Sequence, residues 1–231
     1  MAVLTIEMLS SCGVPPAVRE AHAKAALERK YGKEFEITDV YPQKAGDLFY
    51  RVQAYAVDEP RLRFKAAIDT EDDRISDDYV EKRICASISE TLGAQLDRLP
   101  GVFYIFTYPG APQPLVDDPE ISVRDYVLLS PVNCFVSDLF FVPDKDAQAQ
   151  EVYGSLAGIL KKTEYLPLIL NFCIVSEEQL DAAEALLDMY DENSMEYKRF
   201  LLDVFRVELS FVSGKLKMTE KEFTEAVRSI L

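Results

Sequence analysis

The chain has 231 residues and a mass of 26.1 kDa, with 25 Lys+Arg against 40 Asp+Glu, a net charge of −15 and 48% apolar residues. That length supports a sizeable core in one large domain or two small ones, and a mean hydropathy of −0.05 with no low-complexity tract excludes a disordered chain. The acidic balance argues against nucleic acid, whose binding draws on Lys and Arg to release counterions, and favours basic or neutral protein partners.

In chain order, Leu9-Ser10-Ser11-Cys12-Gly13 has the pattern of a bacterial lipoprotein cleavage site, with Cys12 as the lipid acceptor. The segment before it lacks Lys and Arg, and Glu7 interrupts its apolar region, so it fails as a signal peptide. Either the match is chance, or the true start lies upstream of Met1 and supplies a basic region. Residues 1–16 are expected to be a disordered or targeting segment, because Pro15-Pro16 keeps the chain extended until about Ala17.

Residues 17–31 read as a surface helix ended by Gly32, where a left-handed residue costs little. It holds His22, the one histidine, which is too isolated for a Ser-His-Asp or Cys-His site. FEITDVY, LFYRVQAYAV and LRFKAAI follow as a three-stranded antiparallel meander, the third alternating Leu62, Phe64, Ala66 and Ile68 with Arg61, Arg63 and Lys65. Ser76 is expected to cap the next helix, with Asp77 and Asp78 in its first turn and Val80, Ile84, Ile88, Leu92 and Leu96 on its buried stripe. VFYIFTY closes this half as a buried strand.

The Pro109–Pro119 breaker cluster predicts a division into a helix-meander-helix-strand subdomain, 17–110, and an acidic subdomain, 111–231. NCFVSDLFFV, a helix from about Asp144 to Lys162, and PLILNFCIV then read as a strand-helix-strand unit, with both strands apolar on both faces and hence parallel and buried. Gly154-x-x-x-Gly158 in that helix is expected to face a close neighbour. Capping boxes start further helices at Ser176–Gln179 and Thr219–Glu222. Between them come a helical stretch from Glu196 to Val204, RVELSF, a Ser213-Gly214 turn and KLKM. The fold class is α+β.

Tyr31-Gly32-Lys33-Glu34-Phe35, the strand ending AYAVDEP, Phe64 and Ile75-Ser76-Asp77-Asp78-Tyr79 resemble a pattern in uncharacterised bacterial envelope lipoproteins, where a helix ending KYG-x-E-F precedes a meander and an S-D-x-Y helix start. The resemblance covers about residues 20–85. It implies an envelope address and no chemistry.

No residue is assigned a catalytic, cofactor or metal role. Cys85, Cys134 and Cys173 lie in apolar runs without C-x-x-C spacing and read as unpaired core residues. Asp69–Val80 imitates a calcium loop but has Arg74 where Gly is needed and Val80 where a bidentate Glu is needed. Phosphate-loop, dinucleotide and serine-nucleophile signatures are missing from the sequence. The least ordinary stretch is 163–197, with nine acids and no base, in which Glu177, Asp181, Glu184, Asp188 and Asp191 share one helix face opposite Leu180, Ala183, Leu187 and Tyr190.

These observations predict a non-enzymatic binding or interaction protein of the bacterial cell envelope, anchored through Cys12, with the acidic face as its partner-binding surface. A cytosolic immunity-type protein neutralising a basic toxin is the alternative, and a carboxylate-dependent hydrolase the third reading.

Overall fold

The computed structural model describes residues 15–42, 47–70, 72, 74–96, 98–111, 115–129, 134–163, 165–189, 193–212, 215–228 and 230–231. They form an α+β fold with two sheets and group into two compact units, one comprising the chain up to Arg83 with Leu115–Glu120, the other Ile84–Pro114 with Ile121–Leu231.

The first unit begins with α1 (Pro16–Tyr31), where Pro16 occupies a position whose N–H would be unpaired anyway. Gly32 stops the helix at φ 65°, and its N–H donates to the Glu28 carbonyl. The meander follows as β1 (Phe35–Val40), β2 (Phe49–Ala56) and β3 (Phe64–Asp69), all antiparallel. In β3 the even-numbered Phe64, Ala66 and Ile68 are buried, as alternation predicts.

A fourth strand corrects the expected helix start. Ser76 and Asp77 belong to β4 (Ile75–Asp77), paired with Ala67 and Ala66, so Ser76 does not cap α2 (Tyr79–Gly93). Asp77 takes over part of that role by accepting the Tyr79 N–H.

The chain passes between the units inside α2, at Arg83/Ile84, and again at Pro114/Leu115 and Glu120/Ile121, within and just after the breaker cluster, so 84–110 belongs with the second unit. The run 102–108 explains this placement. It forms β5 (Gly101–Pro109), which pairs along its whole length with β6 (Phe135–Pro143) of the second sheet.

In the second unit, β6, α4 (Ala149–Lys162) and β7 (Leu168–Ile174) make the expected unit with a parallel strand pair. The short α3 (Val123–Leu129) precedes it, and α5 (Glu177–Met189), α6 (Met195–Leu202), β8 (Phe205–Val212), β9 (Lys215–Leu216) and α7 (Glu220–Val227) follow. Strand order is β5-β6-β7-β8-β9. Ser176 with Gln179 and Thr219 with Glu222 form the predicted reciprocal caps. Phe140, Cys173, Val175, Leu180, Ala183 and Tyr197 form a buried cluster in which α5 and α6 cover the sheet. The predicted turn at Ser213-Gly214 lies outside the described residues.

Gly154 and Gly158 overturn one expectation. Both are exposed, and a Cβ built on either meets nothing within 4 Å, so no close neighbour requires them. In a helix interior Ala is favoured over Gly by about 0.5–1 kcal/mol. Gly154→Ala combined with Gly158→Ala should therefore raise the calorimetric melting temperature by about 2–6 °C; a fall would show that this surface needs the missing side chains.

Candidate functional site

Two clusters of polar side chains stand out, one in each unit. The first unites the residues of the resemblance. Asp77, whose side chain is 1% exposed, accepts from Lys30 Nζ at 2.9 Å, Tyr31 OH at 2.7 Å and Tyr79 N at 3.1 Å. Tyr31, Phe35, Phe64 and Tyr79 pack ring against ring with centroids 4.9–5.9 Å apart. Tyr79 OH donates to Glu59 at 2.7 Å, and Arg83 Nε to the other Glu59 oxygen at 3.1 Å. The two motifs are the two halves of one knot.

Lys30 and Arg83 also hold the segment Leu115–Glu120. Lys30 pairs with Asp117 at 2.5 Å, while Arg83 donates to the Pro119 carbonyl and pairs with Glu120 at 3.3 Å. Burial works against the Lys30 ammonium, yet the hydrogen bonds with Asp117 and Asp77 outweigh it and raise its pKa. Burial and the neighbouring Asp77 push the Tyr31 phenol up. Each of the two cations bridges two carboxylates, so the cluster joins α1, β4, α2 and the returning segment.

The second cluster is the one that sequence reasoning missed. Asp138, in the middle of β6, is 0% exposed. Asn171 stands opposite it in the β6/β7 register and donates from Nδ2 to Oδ1 at 2.6 Å. From α6, Tyr197 donates its hydroxyl to Oδ2 at 2.5 Å. Tyr108 on β5 adds a further hydrogen bond.

Burial raises the Asp138 pKa, and the donors Tyr197, Asn171 and Tyr108 together with the Arg206 charge only partly oppose it. The same burial, with Asp138 close by, pushes the Cys173 thiol up to about 12 and the Tyr197 phenol higher still. Across the sheet, Ser137 shares a hydrogen bond with Thr107 at 2.8 Å, and Ser89 of α2 donates to Thr107 at 2.8 Å. A carboxyl so enclosed cannot meet a solute unless α6 moves; its chemistry here is to fasten α6 to the sheet.

The predicted site residues are placed as follows. Glu177, Asp181 and Glu184 are exposed on α5, while Leu180 and Ala183 are buried beneath them. Asp188 lies on the same helix; Asp191, Tyr190 and Cys12 lie outside the described residues. Cys85 and Cys173 are buried free thiols as expected. Cys134 corrects the reading, because it precedes β6 and is only half-buried. His22 shares a hydrogen bond with Tyr50 at 2.7 Å. In the calcium-like loop Arg74 pairs with Asp72 and Asp69, and Glu71 and Asp73 lie outside the described residues. Among the described residues no group of three or more His, Cys, Asp or Glu is placed to hold a metal ion.

Removing the Asp138 side chain leaves the Tyr197 hydroxyl and the Asn171 amide unpaired in the core, so Asp138→Ala should cost about 2–6 kcal/mol for the two groups. Asp138→Asn tests the charge itself. The folded carboxyl holds its proton to higher pH than the unfolded one, whose pKa is about 3.9. Wild-type stability should consequently fall, relative to Asp138→Asn, as pH rises from that value through the raised folded one. Urea unfolding of both proteins between about pH 4 and 8 measures the difference; parallel profiles would contradict it.

No family model and no curated protein matches the sequence. Among solved structures, the chain is similar to the crystal structure of a DUF5037 family protein from Ruminococcus gnavus ATCC 29149, with a TM-score of 0.67 and 15% identity over 91% of this chain and 99% of that one. At that identity the likeness is one of fold.

Proposed function

We propose that the protein is a non-enzymatic binding protein of the bacterial cell envelope that meets a basic protein partner on the acidic face of α5. The observation that carries this reading is the exposure of Glu177, Asp181 and Glu184 at intervals of one helical turn, none in an ion pair with another described residue. Like charges at that spacing cost a helix a few tenths of a kcal/mol per pair. A basic partner turns this cost into attraction, chiefly by speeding encounter.

The envelope address rests on Cys12 and on the resemblance over residues 20–85. No helix among the described residues is long and apolar enough to cross a membrane; in this reading the attachment is a lipid on Cys12. The immunity-type alternative uses the same acidic face from the cytosol. The hydrolase reading needs two carboxyls turned into a cleft, whereas the buried Asp138 is occupied by Tyr197 and Asn171 and the shielded Asp77 by Lys30 and Tyr31.

Two measurements check the proposal. A partner retained by the wild-type chain in about 0.05 M salt should associate about tenfold or more slowly with Asp181→Lys/Glu184→Lys, with a flatter salt dependence and an unchanged circular dichroism spectrum. Equal rates would make the face ordinary surface. In the native host, Cys12→Ser should move the protein from the detergent phase to the aqueous phase; no shift would remove the lipid anchor and favour the cytosolic alternative.

A further inference from the structure

Among the described residues, no strand pairs with the outer edge of β5, and its backbone parity identifies the groups that face outward. Gly110 N–H donates to the Cys134 carbonyl at 2.6 Å and Asp144 N–H to the Pro100 carbonyl at 3.0 Å, and both pairs continue the β5/β6 register. Hydrogen-bonded and non-bonded pairs alternate in an antiparallel ladder. Val102, Tyr104, Phe106 and Tyr108 therefore turn their backbone groups to β6, and Gly101, Phe103, Ile105 and Thr107 turn theirs outward. None of these four makes an outward backbone hydrogen bond to another described residue.

Burial separates the two halves of this edge. Thr107 is 3% exposed, so the edge is closed there, while Gly101, Phe103 and Ile105 are half-buried and Val102 is 61% exposed. Proteins normally blunt an open edge with charge, proline or a bulge. One edge strand of the first sheet follows that rule: β1 exposes Glu36 and Asp39 and shifts register between Ile37 and Asp39. Residues 101–108 carry no charge and no proline, and the β5/β6 register runs unbroken. The Gly101–Ile105 edge is left unprotected in each of these respects.

Charge selects what fits it. α5 packs over β5 and β6, and Leu187 of α5 shares a cluster with Tyr104 and with Val142, the register partner of Val102. The helix roofing this half of β5 thus exposes Glu177, Asp181 and Glu184. Antiparallel pairing with a second β5 would relate two copies by a two-fold axis perpendicular to the sheet. Both acidic helices would then lie on the same face, in chains that each carry −15. Such pairing is repulsive, whereas an extended segment bearing cations is attracted.

We propose that the Gly101–Ile105 edge takes an extended segment of a basic partner protein as an added strand, its cations lying along α5. Backbone pairing supplies the contact and the acidic helix supplies the sign. The proposal deepens the reading of the α5 face and rests on it for the charge of the partner.

The probe is a capped seven-residue peptide alternating Lys and Val, added to the full chain. Two further versions carry N-methyl groups on the odd or on the even backbone nitrogens. An added strand turns only alternate N–H groups toward β5, so one methylated version should bind like the parent and the other at least tenfold more weakly. Hydrogen exchange at Phe103 and Ile105 should slow at least tenfold with the parent peptide, and Asp181→Lys/Glu184→Lys should weaken binding at least tenfold. Equal binding of both methylated versions without protection at Phe103 and Ile105 would overturn strand addition and leave the acidic face standing. Failure of the parent peptide to bind would also overturn strand addition, since the partner-association experiment tests the face separately.

Discussion

A carboxylate shut away from water fixes the arrangement of the second unit. Burying an ionised Asp costs several kcal/mol unless donors surround it, and Asp138 finds its donors on three different elements, Tyr108 on β5, Asn171 on β7 and Tyr197 on α6. A shift of any one of them leaves a polar group unpaired in the core. Apolar contacts among Phe140, Cys173 and Phe200 press α6 onto the sheet, but they are non-directional; the Tyr197–Asp138 bond specifies where α6 sits.

The consequence reaches the surface. Tyr197 shares its cluster with Leu180 and Ala183, so the position of α6 sets the seat of α5 and with it the line of Glu177, Asp181 and Glu184 above β5. The proposed binding side is thus a rigid face with its acids on a helix and its open backbone on a strand. Rigid placement favours binding, because little ordering remains to be done when a partner arrives. The first unit uses the same device with full charges, as Lys30 and Tyr31 at the end of α1 converge on Asp77.

Much of the fold was legible because its signals are local. Alternation in 61–68, the four-residue stripe from Val80 to Leu96, and the capping boxes at Ser176 and Thr219 each involve residues close in sequence, and each appears as read. What escaped was long-range. Lys30 and Asp77 are 47 residues apart, and Ser76 reads as a cap until β4 pairs with β3. Asp138 and Asn171 were hidden in runs read as wholly apolar, though an acid in one of two predicted parallel strands and an amide in the other were a usable sign of a buried pair. The α5 acids were legible by helical spacing. The β5 edge was not, because strand order places β5 outermost only once β6 has been paired on both sides.

Native-state hydrogen exchange followed through low denaturant concentrations tests most directly whether Asp138 welds α6 to the sheet. If it does, the α6 amides from Lys198 to Leu202 should open together with those of Leu139–Phe141 in β6 and Leu170–Cys173 in β7, with one shared free energy and one denaturant slope. Separate opening of α6 at a distinctly lower free energy, while β6 and β7 stay protected, would contradict the claim that this buried carboxylate governs the unit.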